Sequence, residues 1–225
     1  MSRPLLVTDC DEVLLHMVTH FRDWVGERHD MEFRLDMPSF ERALTRRACG
    51  STVPGEEIWP LLDGFFEGEM ARQTLVPGVA EALEAIATVA DVVILTNLQD
   101  RFQADRAAQL AAHGIRHRVV TNQGGKGVPL RRLLDEFAPT VAAFVDDLPV
   151  HHASAARHVP EVWRLHMVAE PRLALHVPPA TDAHARIDEW DAAADWLLAR
   201  FAEGRPAPST PPVLTGPARD AVAAA

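Results

Sequence analysis

Four short stretches, far apart in the chain, carry side chains that together could perform one reaction. The first is Leu5, Leu6, Val7, Thr8, Asp9, Cys10, Asp11, Glu12, Val13, an apolar run that ends in acids. Such a run reads as a buried strand delivering carboxylates to the carboxyl edge of a sheet, where open α/β sheets bind their ligands. Side chains two apart on an extended chain point the same way, so Asp9 and Asp11 face one crevice while Cys10 turns into the core. Three later apolar segments also close on polar residues: Thr96 with Asn97, Lys126 after a short strand and a glycine-rich turn, and Asp146 with Asp147. Singly, each has an ordinary structural reading as a strand end, a solvated lysine or a helix cap. In this order, they make a site.

Charge decides what that site wants. Asp9, Asp11, Asp146 and Asp147 bring up to four negative charges into one crevice, which one lysine does not balance. A divalent cation does, and an all-oxygen donor set with room for water favours Mg²⁺ over zinc. With the cation and Lys126 in place, the crevice accepts a phosphoryl group. The ammonium meets its oxygens as a point charge, and the Thr96 hydroxyl and nearby backbone N–H groups add donors.

The elements that position these residues alternate. A helix over about 78–90 leads into the strand Asp91 to Thr96, and a helix over about 101–113 ends at Gly114. Arg118 to Thr121 is a shorter strand, followed by Gly124, Gly125, Lys126, Gly127 and a helix through Phe137. Val141 to Val145 is the next strand; an alanine-bearing helix and a strand around Val162 to Leu165 follow. This order predicts an α/β fold, a Rossmann-like parallel sheet with helices on both faces. Between the first strand and Val76-Pro77-Gly78, two amphipathic patterns occur, Val18, Phe21, Trp24, Val25 and Ile58, Leu61, Leu62, Phe65, Phe66. Pro38 with Ser39 and Pro54 ahead of Glu56 and Glu57 read as helix starts. The expected organisation is therefore a core over 1–14 and 77–203, a small helical cap over 15–76 and a Pro-rich disordered tail over 204–225. Within the core, 170–186 reads as irregular, and 188–201 reads as a helix.

Bulk properties narrow the class. With 225 residues, 48% hydrophobic and 24% charged, the chain buries a full core. A formal charge of -10 argues against a nucleic-acid polymer or an anionic membrane as the main partner but leaves room for a small anion, which needs only a local positive site; with the crevice above, a small phosphorylated metabolite is the expected partner. No stretch reaches the length of a membrane span, so a cytoplasmic protein is expected. Cys10 and Cys49 form neither a metal-ligand spacing nor a disulfide framework. The composition does not indicate an oligomeric state.

The set Asp9-Cys10-Asp11-Glu12-Val13, Thr96-Asn97, Lys126 and Asp146-Asp147 resembles the four motifs of the haloacid dehalogenase superfamily, over about residues 5–168. The insertion after the first motif looks like the C1 cap of the phosphoglycolate phosphatase and β-phosphoglucomutase subgroup, and His20 to Trp24 is similar to the first cap helix of the mutase-like members. The resemblance implies that Asp9 is the nucleophile forming an aspartyl-phosphate, and that Asp11 is the acid and then the base. It implies that Thr96 and the Asn97 backbone hold the phosphoryl oxygens, with Lys126 fixing the nucleophile. The metal would be held by Asp9, the Asp11 carbonyl and Asp147, with Asp146 in support. It also accounts for a singular feature: of 22 Lys and Arg residues, only Lys126 is Lys, where a compact ammonium must reach both phosphate and Asp9.

A Mg²⁺-dependent phosphatase is the leading expectation, with a phosphomutase or phosphotransferase next. Dehalogenation fits poorly, because dehalogenases of that superfamily need neither a metal nor the second acid. A silent phosphate-binding module is disfavoured by the intact Asp9, Asp11, Lys126 and Asp147. Two departures from the family pattern stand out. Glu12 occupies a position that usually holds Gly, and Gly127 follows the lysine where Pro is usual. Arg46, Arg47 and Arg72 are cap residues that could reach an anionic substrate, although such arginines are more often ion-paired on helix surfaces.

Overall fold

The computed structural model describes residues 2–37 and 40–214. Strand β1 (Leu5–Thr8) is buried at every position, as expected of a strand covered on both faces. After it, β2 (Leu15–His16) leads into the cap: α1 (Val18–His29), β3 (Met31–Phe33), the four-residue α2 (Phe40–Ala43), β4 (Leu44–Arg46) and α3 (Gly55–Glu69). A 3-10 turn (Met70–Arg72) follows, and β5 (Thr74–Leu75) pairs antiparallel with β2 to close the insertion. The core then alternates through α4 (Val79–Ala87), β6 (Asp91–Thr96), α5 (Gln103–Ala112), β7 (Arg118–Thr121), α6 (Gly127–Phe137) and β8 (Ala142–Asp146). It ends with α7 (Pro149–His158), β9 (Trp163–His166), the short α8 (Pro171–Ala174), β10 (Ala185–Arg186) and α9 (Trp190–Glu203).

Six strands form one parallel sheet in the order β10-β9-β8-β1-β6-β7. The chain builds outward from β1 first on one side and then on the other, so the strand order reverses at β1 and opens a crevice at its carboxyl end. Alternate side chains serve the two faces. Leu6, Ile94, Ala143 and Val145 meet Leu83 and Ile86 of α4, Leu110 of α5 and Trp190 and Leu197 of α9. On the other face, Leu5, Val7, Val93 and Phe144 meet Leu130 and Leu133 of α6 and Ala155 of α7. The cap has its own core, in which the Phe21 and Phe65 rings meet edge-on at 5.7 Å. Among the described residues, no helix is long and apolar enough to cross a membrane.

Three expectations are revised. The cap is not purely helical: Met31↔Arg46 and Phe33↔Leu44 pair β3 and β4 as an antiparallel ribbon. Its buried-exposed-buried alternation over three residues is too short to stand out as a strand pattern. The segment 170–186 holds α8 and the edge strand β10, the latter paired to β9 through Ala185↔Leu165. Past Gly204, the chain, expected to be disordered, is tied to the core as far as Pro208: the Arg205 carbonyl accepts from Trp163 Nε1 at 2.9 Å, and the Ala207 N–H donates to the Glu161 carbonyl at 2.9 Å. The expected helix start at Pro38 and Ser39, and the tail from 215 onward, lie outside the described residues.

Candidate active site

The register of the sheet assembles the centre. Thr8 lies opposite Val145, so the next residues along, Asp9 and Asp146, emerge side by side at the carboxyl edge. Lys126, at the amino end of α6, is fully buried beneath them. Its Nζ lies 2.7 Å from Asp9 Oδ1 and 2.6 Å from Asp146 Oδ2. One carboxylate oxygen from each of Asp9, Asp146 and Asp147 lies within 4.8 Å of the others. Asp9 Oδ1 also accepts from the Cys10 N–H at 2.7 Å, which leaves Oδ2 without a hydrogen-bond donor among the described residues, in a side chain that lines a cavity of about 600 Å³. Asp146 is more fully engaged, since its Oδ1 accepts from the Leu148 N–H at 2.9 Å.

Burial and mutual repulsion govern the electrostatics of the cluster. Burial, reinforced by Asp146 and Asp11, raises the Asp9 carboxyl to about 7 in spite of Lys126. Burial likewise raises Asp147 well above the carboxylate range, with Asp146 and Asp9 adding to the effect. For Asp146, burial acts upward too, but Lys126 and the nearby His151 and His152 outweigh it and hold the group below its ordinary value. One ammonium therefore settles one carboxylate and leaves two that favour protons or a cation. Oxygen donors so placed fit a hard divalent cation.

Asp11 faces the same cavity but is held differently. Its Oδ1 and Oδ2 accept from Arg106 Nη2 at 2.9 and 3.1 Å, and Oδ1 also accepts from Gln73 Nε2 at 2.6 Å. Its carboxylate is not among the three clustered ones. Arg106 is fully buried on α5, with its guanidinium 5.5 Å from the centre of the Phe66 ring. Neither Arg106 nor Gln73 emerged from sequence reasoning. The available signal was an arginine four residues before Leu110, on the buried stripe of an alanine-rich helix. Cys10 is a buried core residue, as expected.

Thr96 ends β6 with its Oγ1 buried and unpartnered, a donor still lacking an acceptor. The Asn97 side chain is committed: Nδ2 lies 2.9 Å from the Gly124 carbonyl and 3.2 Å from His151 Nε2, and Oδ1 accepts from Asn122 Nδ2 at 2.8 Å. The structure thus gathers Asp9, Lys126, Asp146 and Asp147 into one cluster, and sets Thr96, Asn97 and Asp11 around the same cavity. His20, in contrast, is spent on the cap hinge, its Nε2 3.0 Å from Thr74 Oγ1.

The two departures acquire physical reasons here. Glu12 has φ of 59°, the left-handed region that normally selects Gly. Its Oε1 accepts from the Met17 and Val18 N–H groups at 2.7 and 2.6 Å, so the side chain closes the amino end of α1. Burial raises its carboxyl to about 7, although those two bonds pull the other way. At Gly127, a Cβ would come within 2.3 Å of the Ser154 carbonyl oxygen, so α6 approaches α7 too closely for any side chain.

A cavity of about 600 Å³ opens above the cluster between core and cap. Sandwiched between a three-carboxylate centre and an inserted cap, it defines a class: an α/β core with the site at the carboxyl end of its central strand. No family model matches the sequence, and no curated protein matches it in sequence. Solved structures do match in three dimensions. A haloacid dehalogenase-like family hydrolase from Xanthomonas campestris superposes with a TM-score of 0.55 at 15% identity, covering 90% of this chain and 98% of that one. A protein predicted to be a phosphoglycolate phosphatase, from Haemophilus somnus, gives 0.56 at 18% identity over 87% and 96% of the two chains. A candidate β-phosphoglucomutase from Bacteroides vulgatus gives 0.56 at 13% over 91% and 90%. The chain has the haloacid dehalogenase-like fold.

Proposed function

We propose that the chain is a Mg²⁺-dependent phosphomonoester hydrolase that acts on a small phosphorylated metabolite through an aspartyl-phosphate. The observation that carries this reading is the pairing of Asp9 with Lys126 at 2.7 Å through Oδ1 alone, beside the unpartnered Thr96 hydroxyl. Asp9 Oδ2 would attack phosphorus while the ester oxygen departs, exchanging a P–O bond to the alcohol for one to Asp9. Lys126 holds the nucleophile in place and offsets charge on the transferring group, and the Thr96 hydroxyl and Asn97 backbone receive its oxygens. The cation would be held by Asp9, Asp147 and the Asp11 carbonyl, with Asp146 supporting it; once bound, it neutralises charge on the phosphoryl oxygens.

Asp11 completes both halves, giving a proton to the departing alkoxide and then taking one from the water that cleaves the acyl phosphate. Arg106 and Gln73 both donate to it and so fix the orientation of its carboxylate beside the cavity. The neighbouring phosphomutase reading gains nothing from His20, which is bound to Thr74 at the hinge. In the test, phosphate release from an aryl phosphate is measured with Mg²⁺ and with a chelator, for the parent and for Asp9→Asn. Release that needs Mg²⁺ and is lost in Asp9→Asn is expected; release that persists in Asp9→Asn overturns the assignment.

A further inference from the structure

We infer that the alcohol part of the substrate is a hydrocarbon: the site selects phosphomonoesters of apolar alcohols over those of sugars or of small carboxylic acids. The inference rests on the phosphatase reading and adds the substrate class to it. Polar and apolar groups are separated across the cavity. The core side holds its polar groups, Asp9, Asp11, Glu12, Thr96, Asn97, Asp147 and His151, whereas every described cap residue in its lining is apolar, among them Met17, Phe33, Met37, Ile58, Trp59 and Leu62. Core segments beyond the sheet add Leu173, Val177 and Pro178 on the same level. At about 600 Å³, the space exceeds what a phosphoryl group fills and matches that of a small-molecule site.

Apart from the indole N–H of Trp59, the cap side chains that line the cavity offer nothing polar to a second functional group. Among the described residues, no Lys or Arg lines the cavity. The three cap arginines that could have reached an anion are engaged elsewhere: Arg46 with Glu57 at 2.5 Å, Arg47 with the Gly26 carbonyl at 3.4 Å, and Arg72 with both oxygens of Glu27 at 3.0 Å. The cap's Asp63 and Gln73 stand outside the lining and turn to protein partners, both oxygens of Asp63 accepting from Gln99 Nε2 at 2.7 Å and Gln73 Nε2 donating to Asp11. A sugar placed here would give up water against the cap without regaining partners there, and a second carboxylate held off the core side would meet hydrocarbon. A hydrocarbon, in contrast, would bury against matching surface. It would also explain why Trp59, which lines the cavity, is left 70% exposed: the ring stands at the mouth, where a longer chain would cover it.

The test is a series of straight-chain alkyl phosphates from ethyl to hexyl, which keeps the leaving alkoxide constant and varies only apolar length. Each methylene buried raises kcat/KM by about fourfold, so hexyl phosphate should exceed ethyl phosphate by about 10²-fold. The variant Leu62→Asn should flatten that slope. A hexyl-to-ethyl ratio below about threefold, or higher kcat/KM for glucose 6-phosphate or phosphoglycolate than for hexyl phosphate, overturns the inference while leaving the phosphatase reading intact. If no ester is hydrolysed, the phosphatase reading fails by itself. The cavity is then probed by calorimetry with Mg²⁺ and the two alkyl phosphonates. Tighter binding of hexylphosphonate than ethylphosphonate by tens of fold supports the apolar site, and equal binding removes it.

Discussion

His184 supplies a stability prediction that is independent of the reaction. Its Nδ1 accepts from the Arg164 backbone N–H at 3.0 Å, and its Nε2 lies 2.9 Å from the Pro208 carbonyl, which only an N–H on that nitrogen can satisfy. The ring is therefore locked as one neutral tautomer: a proton on Nδ1 would set two N–H groups against each other. Burial lowers the group from 6.5 to about 4; the Pro208 bond opposes this and the nearby Arg164 guanidinium assists it. Because the folded state resists protonation, the unfolded chain binds more protons between these values. The stabilisation is complete above pH 6.5 and is lost as pH falls toward 4. The full span is worth on the order of 3 kcal/mol, and roughly 1 kcal/mol of it is gone by pH 5.5. Buried acids such as Glu12 titrate with the opposite sign, so the readout must be a difference. Urea unfolding of the parent and of His184→Asn, whose Oδ1 can accept from Arg164 without titrating, is measured at pH 7.5 and 5.5. The parent should lose roughly 1 kcal/mol more than the variant over that interval. Equal losses would refute the locked-tautomer argument.

Glu12→Ala strips the Met17 and Val18 N–H groups of their shared acceptor and should cost about 2 kcal/mol in chemical denaturation, even though Ala bears the same left-handed φ. Gly127→Ala drives a methyl toward the Ser154 carbonyl, so α6 must move away from α7; a loss of about 2–3 kcal/mol is expected, with activity falling further because Lys126 is the preceding residue. Adding Mg²⁺ at a hundredfold excess over its dissociation constant should raise the parent's stability by about 2.7 kcal/mol, an increment read from the unfolding midpoint that Asp147→Asn should largely abolish.

Much of the candidate site was legible because it depends on short-range rules. An apolar run ending in acids reads as a buried strand with its carboxylates at the edge, and the later strand ends in their order pointed to one crevice, whereas the register that sets Asp9 beside Asp146 is a property of the folded sheet. Lys126 stood out because the chain uses Arg everywhere else. What stayed hidden depends on long-range packing. An arginine on a helix is ordinarily solvated, so nothing local says that Arg106 is buried against Asp11, two elements and a cap away. The stripe Ile58, Leu61, Leu62, Phe65, Phe66 marks a helix face but not what it faces. Phe65 closes on Phe21 inside the cap, whereas Leu62 and Phe66 look onto the cavity. Helical spacing is the same for a face that meets another helix and for one that meets a ligand.

Glu12 and Gly127 show how a site can keep its geometry while breaking the pattern around it. At Glu12, the backbone conformation that makes glycine usual is retained, and a non-glycine residue there carries a strain of about 1–2 kcal/mol. The carboxylate offsets that strain by bonding two N–H groups at the start of α1, which ties the turn after β1 to the first cap helix. At Gly127, the exchange runs the other way. Giving up a side chain lets α6 sit against Ser154, whose Oγ accepts from the Gly127 N–H at 3.0 Å, and this backbone contact places Lys126 under both Asp9 and Asp146. A proline there would lack that N–H and bring a Cβ into the Ser154 carbonyl, so the lysine is positioned in this chain by close helix approach in place of a rigid ring.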